Sequence, residues 1–174
     1  MIYVLYGQPG SGKTTLGKLL AEYLDTPFII DGDEFRKMFT NENYGKEGRV
    51  ENIRSANAVA TYLNKKSYPY GNVIMALVNP YEHLRDQLKQ NNPSQVSDIL
   101  LCSERDLRKN YHVKDFENGT PKTILNTDHD VECYIEEERC GHEGYVLSNQ
   151  FGTYKVVNRL GFSKANFNIA KSWK

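Results

Sequence analysis

The residues of this chain best suited to chemistry lie near its start, where positions 7 to 14 read Gly-Gln-Pro-Gly-Ser-Gly-Lys-Thr. Two glycines, a lysine and a hydroxyl residue occupy the fixed positions of the phosphate-binding pattern G-x-x-x-x-G-K-[ST]. Glycines let backbone N–H groups curl around phosphate oxygens, and a following helix adds partial positive charge. We expect Lys13 to reach the β- and γ-phosphates of a nucleoside triphosphate and the Thr14 hydroxyl to ligate Mg²⁺.

The residues around this loop have the patterns of the strand and the helix that such a loop needs. An apolar run at 1–6 ends where the loop begins, and Leu16, Leu20 and Tyr23 follow it at helical spacing. This context predicts a nucleotide-binding set at the loop: Gly7, Pro9, Gly10, Ser11, Gly12, Lys13, Thr14 and Thr15.

Apolar runs and helical patterns then alternate along the chain. Strands are predicted at 27–30, 73–78, 97–102 and 124–125. Helices are predicted at 33–39, about 47–65, 80 to about 90, and from a cap at Asp128 to about Glu138. Asp33 is expected to cap the first of these helices, and Pro80 suits the first turn of the third. Alternating strands and helices predict a parallel sheet in a three-layer α/β/α sandwich, the P-loop nucleoside triphosphate hydrolase or kinase fold.

Two carboxylates, Asp31 and Asp33, follow the strand predicted at 27–30. Ligands of such sheets bind beyond the carboxyl ends of the strands, so both acids fall near the phosphate loop if this strand neighbours the first. A carboxylate there can accept a proton from an attacking hydroxyl, orient Mg²⁺, or do both. The run 73–78 ends without an acidic residue. We therefore predict that Asp31 is the carboxylate that binds the metal and acts in catalysis.

Five arginines lie around the predicted substrate loops. Planar guanidinium groups match anionic oxygens two at a time and offset the charge that develops during phosphoryl transfer. These arginines are Arg36, Arg49, Arg54, Arg85 and Arg105.

The bulk composition narrows the classes of function. The 22 basic residues equal the 22 acidic ones, which disfavours a nucleic-acid partner without excluding it. No apolar run approaches the ~20 residues that span a bilayer, so no membrane partner is expected. The odd count of 3 cysteines has no disulfide pattern and favours a reducing, cytoplasmic setting.

Four motifs in order give the chain a family resemblance. Residues 31–36 read Asp-Gly-Asp-Glu-Phe-Arg and resemble the D-G-D-N-x-R signature of adenylyl-sulfate (APS) kinases. Residues 49–54 are similar to their R-x-E-N-I-R segment, and residues 79–81, with Arg85 following, resemble S-P-[FY]…R. Residues 103–106 resemble the E-x-R-D that opens the family's lid. The resemblance covers roughly residues 1 to 137.

The resemblance implies ATP and Mg²⁺ as cofactors and phosphorylation of the 3′-hydroxyl of APS to give PAPS. It implies a base-like role for Asp31, and it places Arg105 with the nucleotide. The implied acceptor contacts are Asp33, Arg36, Tyr44, Arg49, Asn52, Pro80 and Tyr81, with Tyr44 stacking on the adenine. Because APS kinases are commonly dimers, it also implies a homodimer.

Three departures separate the chain from the family pattern and leave the acceptor open. Glu34 replaces the family's Asn, the lid at about 106–122 lacks the K-G-L-Y stretch, and a tail at 141–174 follows the kinase domain predicted at 1–140. The compact lid resembles that of viral APS-kinase-like proteins, and the tail is predicted to form a β-hairpin that packs on the same domain.

Other functions therefore stay open. The acceptor hydroxyl could belong to a nucleoside, a nucleotide or a hydroxymethylated base of phage DNA. The chain could also be a nucleotide-binding switch without an acceptor, or a family member that binds without turnover.

Overall fold

A computed structural model describes residues 1–67, 71–104 and 108–127, together with two short strands at 147–149 and 152–154. The strands are β1 (Ile2–Tyr6), β2 (Ile29–Asp31), β3 (Val73–Ala76), β4 (Val96–Cys102), β5 (Thr123–Asn126), β6 (Leu147–Asn149) and β7 (Gly152–Tyr154). The helices are α1 (Lys13–Tyr23), α2 (Gly32–Met38), α3 (Lys46–Ser67) and α4 (Glu82–Asn91), with one 3₁₀ turn at Lys109–Tyr111.

The first five strands form one parallel sheet in the order β2-β3-β1-β4-β5. Alternate side chains of β1 point to opposite faces, because successive residues of a strand do so. Tyr3 and Leu5 pack in the core cluster that contains Leu20 of α1, whereas Val4 and Tyr6 pack in the cluster on the opposite face. Every residue of β1 is buried, as expected of a central strand that is covered on both sides.

Helices cover both faces of this sheet. Helix α1 lies on one face, where Gly17 lets it approach Ala76 and Leu5 closely. Helices α3 and α4 lie on the other face, where Ala56, Ala60 and Leu88 join the second core cluster. This arrangement confirms the predicted α/β/α sandwich with a parallel sheet.

The condition that the second strand neighbours the first is not met, and one helix start needs correction. Strand β2 does not neighbour β1, because β3 lies between them and pairs with both. Helix α4 begins at Glu82, so Pro80 lies before the helix and not in its first turn.

The segment 108–122, which we call the lid, contains the 3₁₀ turn and leads into β5. Its later part is held by a buried arginine: Arg85, 2% exposed, donates to the Asn79 carbonyl oxygen at 2.6 Å and to the Glu117 carbonyl oxygen at 2.7 Å. The same guanidinium lies 4.2 Å from the centre of the Tyr6 ring, and the Tyr6 hydroxyl donates to the Asn118 carbonyl oxygen at 2.6 Å. Arg85 therefore anchors the lid and does not face an acceptor, contrary to the expectation for this arginine.

Replacing Arg85 with methionine is expected to lower the free energy of unfolding by about 3 kcal/mol, because it leaves two buried carbonyl groups without their charged donor. Urea denaturation followed by circular dichroism measures this change. Arg54→Met is the matched control, since Arg54 is exposed on α3 and is expected to change stability by less than about 0.5 kcal/mol. Equal stability of the two variants would contradict the anchoring role.

Beyond the lid, β6 and β7 pair antiparallel, with Leu147 opposite Tyr154, as in a hairpin. The predicted division at residue 140 and the packing of the tail stay predictions. Arg105 and the helix predicted after Asp128 lie outside the described residues. Within the described part of the chain, no helix combines the length and the apolar character needed to cross a membrane.

Candidate active site

The phosphate loop lies between the end of β1 and the start of α1. Gly10 and Gly12 have φ values of 88° and 87°, which glycine adopts without the penalty that a side chain brings. A Cβ atom at Gly7 would collide with the carbonyl oxygen of Leu101 on β4. The Thr127 hydroxyl, just after β5, donates to the Ser11 carbonyl oxygen at 3.1 Å and fastens the loop from the other side. The three glycines are thus required by the shape of the loop.

Lys13 is the buried cation of this loop, with 9% of its surface exposed. Its Nζ donates to the Gln8 carbonyl oxygen at 2.7 Å and lies 3.4 Å from the Ser11 hydroxyl oxygen. Burial lowers the pKa of Lys13 to about 8, and the charges of Asp33 and Asp31 oppose that shift. A partly desolvated ammonium is well placed to bind phosphate oxygens.

Asp31 ends β2 and connects α1 to the start of α2. Its Oδ2 accepts a hydrogen bond from the Thr14 hydroxyl at 2.7 Å. Its Oδ1 accepts the backbone N–H groups of Asp33 at 3.0 Å and Glu34 at 3.3 Å, so Asp31 is the N-cap of α2. The prediction that Asp33 caps this helix is wrong, because the cap lies two residues earlier, at Asp31, and the helix begins at Gly32.

These oxygen donors fit a magnesium ion. The Thr14 hydroxyl gives its proton to Asp31, which leaves its oxygen lone pairs available, and hard oxygen ligands are those that Mg²⁺ prefers. Among the described residues, no group of three or more His, Cys, Asp or Glu side chains forms a complete metal cage. Mg²⁺ in phosphoryl-transfer sites usually takes one or two protein ligands plus phosphate oxygens and water, so a complete cage is not required.

A cleft of about 1140 Å³ opens beyond the carboxyl ends of the strands. It brings together most of the predicted site: Pro9, Gly10, Gly12, Lys13, Thr14, Thr15, Asp31, Asp33, Arg36, Tyr44, Arg49, Asn52 and Pro80 all line it. Gly7 and Ser11 are buried behind it in the loop. Arg54 is exposed on α3 and does not line it.

The half of the cleft in which the sequence predicts acceptor contacts is shaped by Arg36 and Tyr44. Arg36 is 8% exposed, and its Nη1 donates to the Asn43 carbonyl oxygen at 2.8 Å and to Asn41 Oδ1 at 3.1 Å. Its guanidinium carbon lies 4.6 Å from the centre of the Tyr44 ring, which is a cation–π distance. Arg36 thus orders the loop that presents the exposed Tyr44 ring.

Two asparagines beneath this half of the cleft have polar atoms without partners. Asn52 Oδ1, and both Oδ1 and Nδ2 of Asn79, are buried and have no hydrogen-bond partner among the described residues. Buried polar groups are rarely left unpaired, and both residues line the cleft. These atoms are inaccessible to solvent in this conformation, so a ligand in the cleft reaches them only if the wall shifts.

Tyr81 lies behind the same wall. It is 2% exposed and packs with Ile53 and Leu84. Burial raises the pKa of the Tyr81 hydroxyl, and the nearby Asp115 carboxylate raises it further. Its ring supports the wall of the cleft from within the core. Its contact with an acceptor stays a prediction.

Lid side chains complete the cleft and were missed as site residues by sequence reasoning. Arg108, Asn110, Tyr111, His112 and Val113 line it together with Lys37. Arg108 is close enough to Lys13 to lower the pKa of the lysine. The lid lacks hydrophobic periodicity. Its only signals in the sequence were its charged residues and its position after the fourth strand.

The fold and this site define a P-loop kinase: a parallel sheet, a glycine-rich phosphate loop followed by a helix, and a hydroxyl–carboxylate pair beside the lysine. Residues 1–124 match the family model of adenylylsulphate kinase, which covers more than half of the chain. The chain belongs to the adenylylsulphate kinase family. Residues 121–171 match a second model, described as a family of unknown function (DUF6267).

Individual relatives of this chain are also named as kinases. The adenylate kinase of Rickettsia akari is 36% identical over 83 residues, which are 42% of this chain and 39% of that protein. The chain therefore aligns with only about two fifths of that relative's length. A putative adenylate kinase of Thermococcus gammatolerans is 23% identical over 150 residues, covering 72% of this chain and 82% of the relative.

One solved structure shows the same fold at low identity. The APS kinase of Mycobacterium tuberculosis, in complex with AMPPNP and APS, has a TM-score of 0.64 and 17% sequence identity to this chain. The match covers 80% of this chain and 95% of that one. At this identity the match supports the fold, and the acceptor has to be argued from the cleft itself.

Proposed function

We propose that this protein transfers the γ-phosphoryl group of ATP to a hydroxyl group, with APS as the first acceptor to test and PAPS as its product. The observation that carries the proposal is the 2.7 Å contact between Thr14 and Asp31 beside the buried Lys13, at one end of a cleft that continues to Arg36 and Tyr44. A binding site for phosphate thus continues directly into a second, polar compartment, as transfer between two substrates requires.

Phosphoryl transfer depends mainly on positioning and on neutralising charge. The backbone of the phosphate loop and Lys13 would hold the β- and γ-phosphates. Thr14, oriented by Asp31, would hold Mg²⁺, which offsets the negative charge of the transferred group. Arg108 of the lid adds a second positive charge near Lys13.

Two carboxylates are available to accept the proton of the acceptor hydroxyl. Asp31 has both oxygens engaged, by Thr14 and by the start of α2. Asp33 is exposed in the cleft, and its charge acts on Lys13 more strongly than that of Asp31. We propose that Asp31 supports the metal and is the first base to test, with Asp33 as its competitor for the proton.

The composition of the cleft supports a nucleotide acceptor. Tyr44 offers an exposed aromatic face, and Arg36 and Arg49 supply positive charge. A nucleoside monophosphate is the second candidate, because relatives of this chain are named adenylate kinases. Nucleosides and hydroxymethylated bases remain further acceptors to test.

The test measures ADP release by the purified protein with ATP and Mg²⁺, alone and with APS or AMP, and identifies the product by mass spectrometry. APS-dependent ADP release with a 3′-phosphorylated product supports the proposal. ADP formation from ATP that depends on AMP and not on APS would instead show that the acceptor group is a phosphate. ADP release that ignores every acceptor would favour a nucleotide-binding switch.

Nucleotide affinity is expected to fall as the pH rises above about 8. The pKa of Lys13 is about 8 in the free protein, so its charge is mostly present at pH 7 and mostly lost at pH 9. A bound triphosphate favours the charged form, so binding at pH 9 requires proton uptake and is weaker by about tenfold. Isothermal titration calorimetry with a non-hydrolysable ATP analogue measures this. Lys13→Met is the control and should lose the pH dependence; an equal dependence in both proteins would contradict the assignment to Lys13.

A further inference from the structure

Gln8 occupies a position that the phosphate-binding pattern leaves open, yet its side chain makes a specific contact with the lid. Its Nε2 donates to the Val113 carbonyl oxygen at 2.9 Å, and the Val113 N–H donates to Gln8 Oε1 at 2.9 Å. A primary amide carries both a donor and an acceptor, so one glutamine satisfies both backbone groups of Val113. The two residues are 105 positions apart in the chain.

A second contact lies beside the first. The His112 ring nitrogen Nε2 is 3.2 Å from the Pro9 carbonyl oxygen, to which it donates in the tautomer that carries its proton there. Val113 itself is 5% exposed. Two consecutive lid residues therefore contact two consecutive residues of the phosphate loop.

The same loop residue also contacts the catalytic lysine. The Gln8 carbonyl oxygen accepts from Lys13 Nζ at 2.7 Å, while the Gln8 side chain holds the lid. The later part of the lid has its own anchor in Arg85, which holds Glu117. The earlier part, which carries Arg108 and Tyr111 over the cleft, contacts the phosphate loop through Gln8 and Pro9.

We propose that Gln8 is a positioning residue that clips the lid onto the phosphate loop, keeping Arg108 at the phosphates and water out of the transfer site. This inference rests on the proposed kinase function. Without the two hydrogen bonds between Gln8 and Val113, Arg108 and Tyr111 are no longer held in place over the cleft. The expected consequences are a lid that opens more often and ATP that reacts with water more often than before.

Tryptic cleavage within the lid tests the clip without requiring any activity. Arg108, Lys109 and Lys114 are exposed trypsin sites on either side of Val113. In Gln8→Met, which keeps the length of the side chain but removes both hydrogen bonds, cleavage at these sites is expected to be about tenfold faster. The matched control is Gln87→Met, since Gln87 is exposed on α4 and far from the lid in sequence. Peptides are counted by mass spectrometry, with cleavage after the exposed Lys37 as the internal reference.

Equal lid cleavage in Gln8→Met and the unmodified protein would overturn the proposal. A second measurement addresses water exclusion: the ratio of acceptor-independent ATP hydrolysis to phosphoryl transfer is expected to rise about tenfold in Gln8→Met and to stay unchanged in Gln87→Met. Faster cleavage with an unchanged ratio would also overturn the proposed role. If the unmodified protein transfers phosphate to no acceptor, the proposed function fails, while the cleavage result still decides whether Gln8 holds the lid.

Discussion

Lys13→Ala is expected to lower kcat/KM for phosphoryl transfer by about 10³- to 10⁴-fold, which corresponds to about 4 to 5.5 kcal/mol of transition-state stabilisation. Lys13 is the buried cation of the phosphate loop, and its Nζ is held 2.7 Å from the Gln8 carbonyl oxygen, ready to turn to a phosphate. The loss is large because charge develops on the transferred group in a place from which water is excluded. Steady-state kinetics with whichever acceptor supports ADP release measure it.

The matched control for this prediction is Lys18→Ala. Lys18 lies on the same helix, five residues further on, and its side chain is exposed. It is expected to leave kcat/KM within about twofold of the unmodified protein, because an exposed charge away from the cleft is screened by solvent. Turnover of Lys13→Ala close to that of Lys18→Ala would contradict the assignment of residues 7–14 as a phosphate-binding loop.

Asp31→Asn is expected to lower kcat by about 10²- to 10³-fold while it changes nucleotide affinity by less than about fivefold. The substitution removes the charge that orients Thr14 and Mg²⁺ and that can accept a proton. It keeps an oxygen for the start of α2, and asparagine is as good an N-cap as aspartate. Loss of fold is thus not the expected cause of the lower activity, and thermal unfolding of the variant checks this.

Asp33→Asn is the companion variant. If Asp31 accepts the proton, Asp33→Asn is expected to lower kcat by less than about tenfold, because Asp33 is exposed and makes no hydrogen bond through its carboxylate within the described residues. A larger loss in Asp33→Asn than in Asp31→Asn would assign the proton to Asp33. Equal losses of kcat and nucleotide affinity in Asp31→Asn would give Asp31 a purely structural or metal-binding role.

Local patterns explain most of what could be predicted from the sequence. The alternation of apolar runs and helical spacings predicted β1, β3, β4 and β5 within a few residues of their observed ends. Burial on both faces makes β1 and β3 continuously apolar, whereas β4 carries Ser97 and Asp98 and β5 is an edge strand with Ile124 exposed. The helix α3 was also predicted closely. The cap of α2 was misplaced by two residues, because Asp31 and Asp33 both precede the helical pattern and aspartate is a suitable cap at either position.

Most of the predicted site residues line one cleft, although the condition set for Asp31 is not met. Asp31 was expected near the phosphate loop if its strand neighbours β1, whereas β3 separates β2 from β1. The contact with Thr14 forms because Asp31 ends β2 level with Ala76 of β3, while α1 crosses the sheet toward it. Asp31 and Asp33 lie near the phosphate loop because β2 ends at the carboxyl edge of the parallel sheet. The sequence pattern did predict that position.

By itself, the sequence determined the phosphate loop and the layered fold that carries it. Consecutive residues build that loop from their own backbone. Its glycines, Lys13 and Thr14 can therefore be recognised without knowledge of the rest of the chain. Only the tertiary structure decided that Arg85 anchors the lid and that Gln8 contacts Val113. These contacts join residues 32 and 105 positions apart, and periodicity and spacing carry information about neighbours along the chain, not about partners that packing brings together.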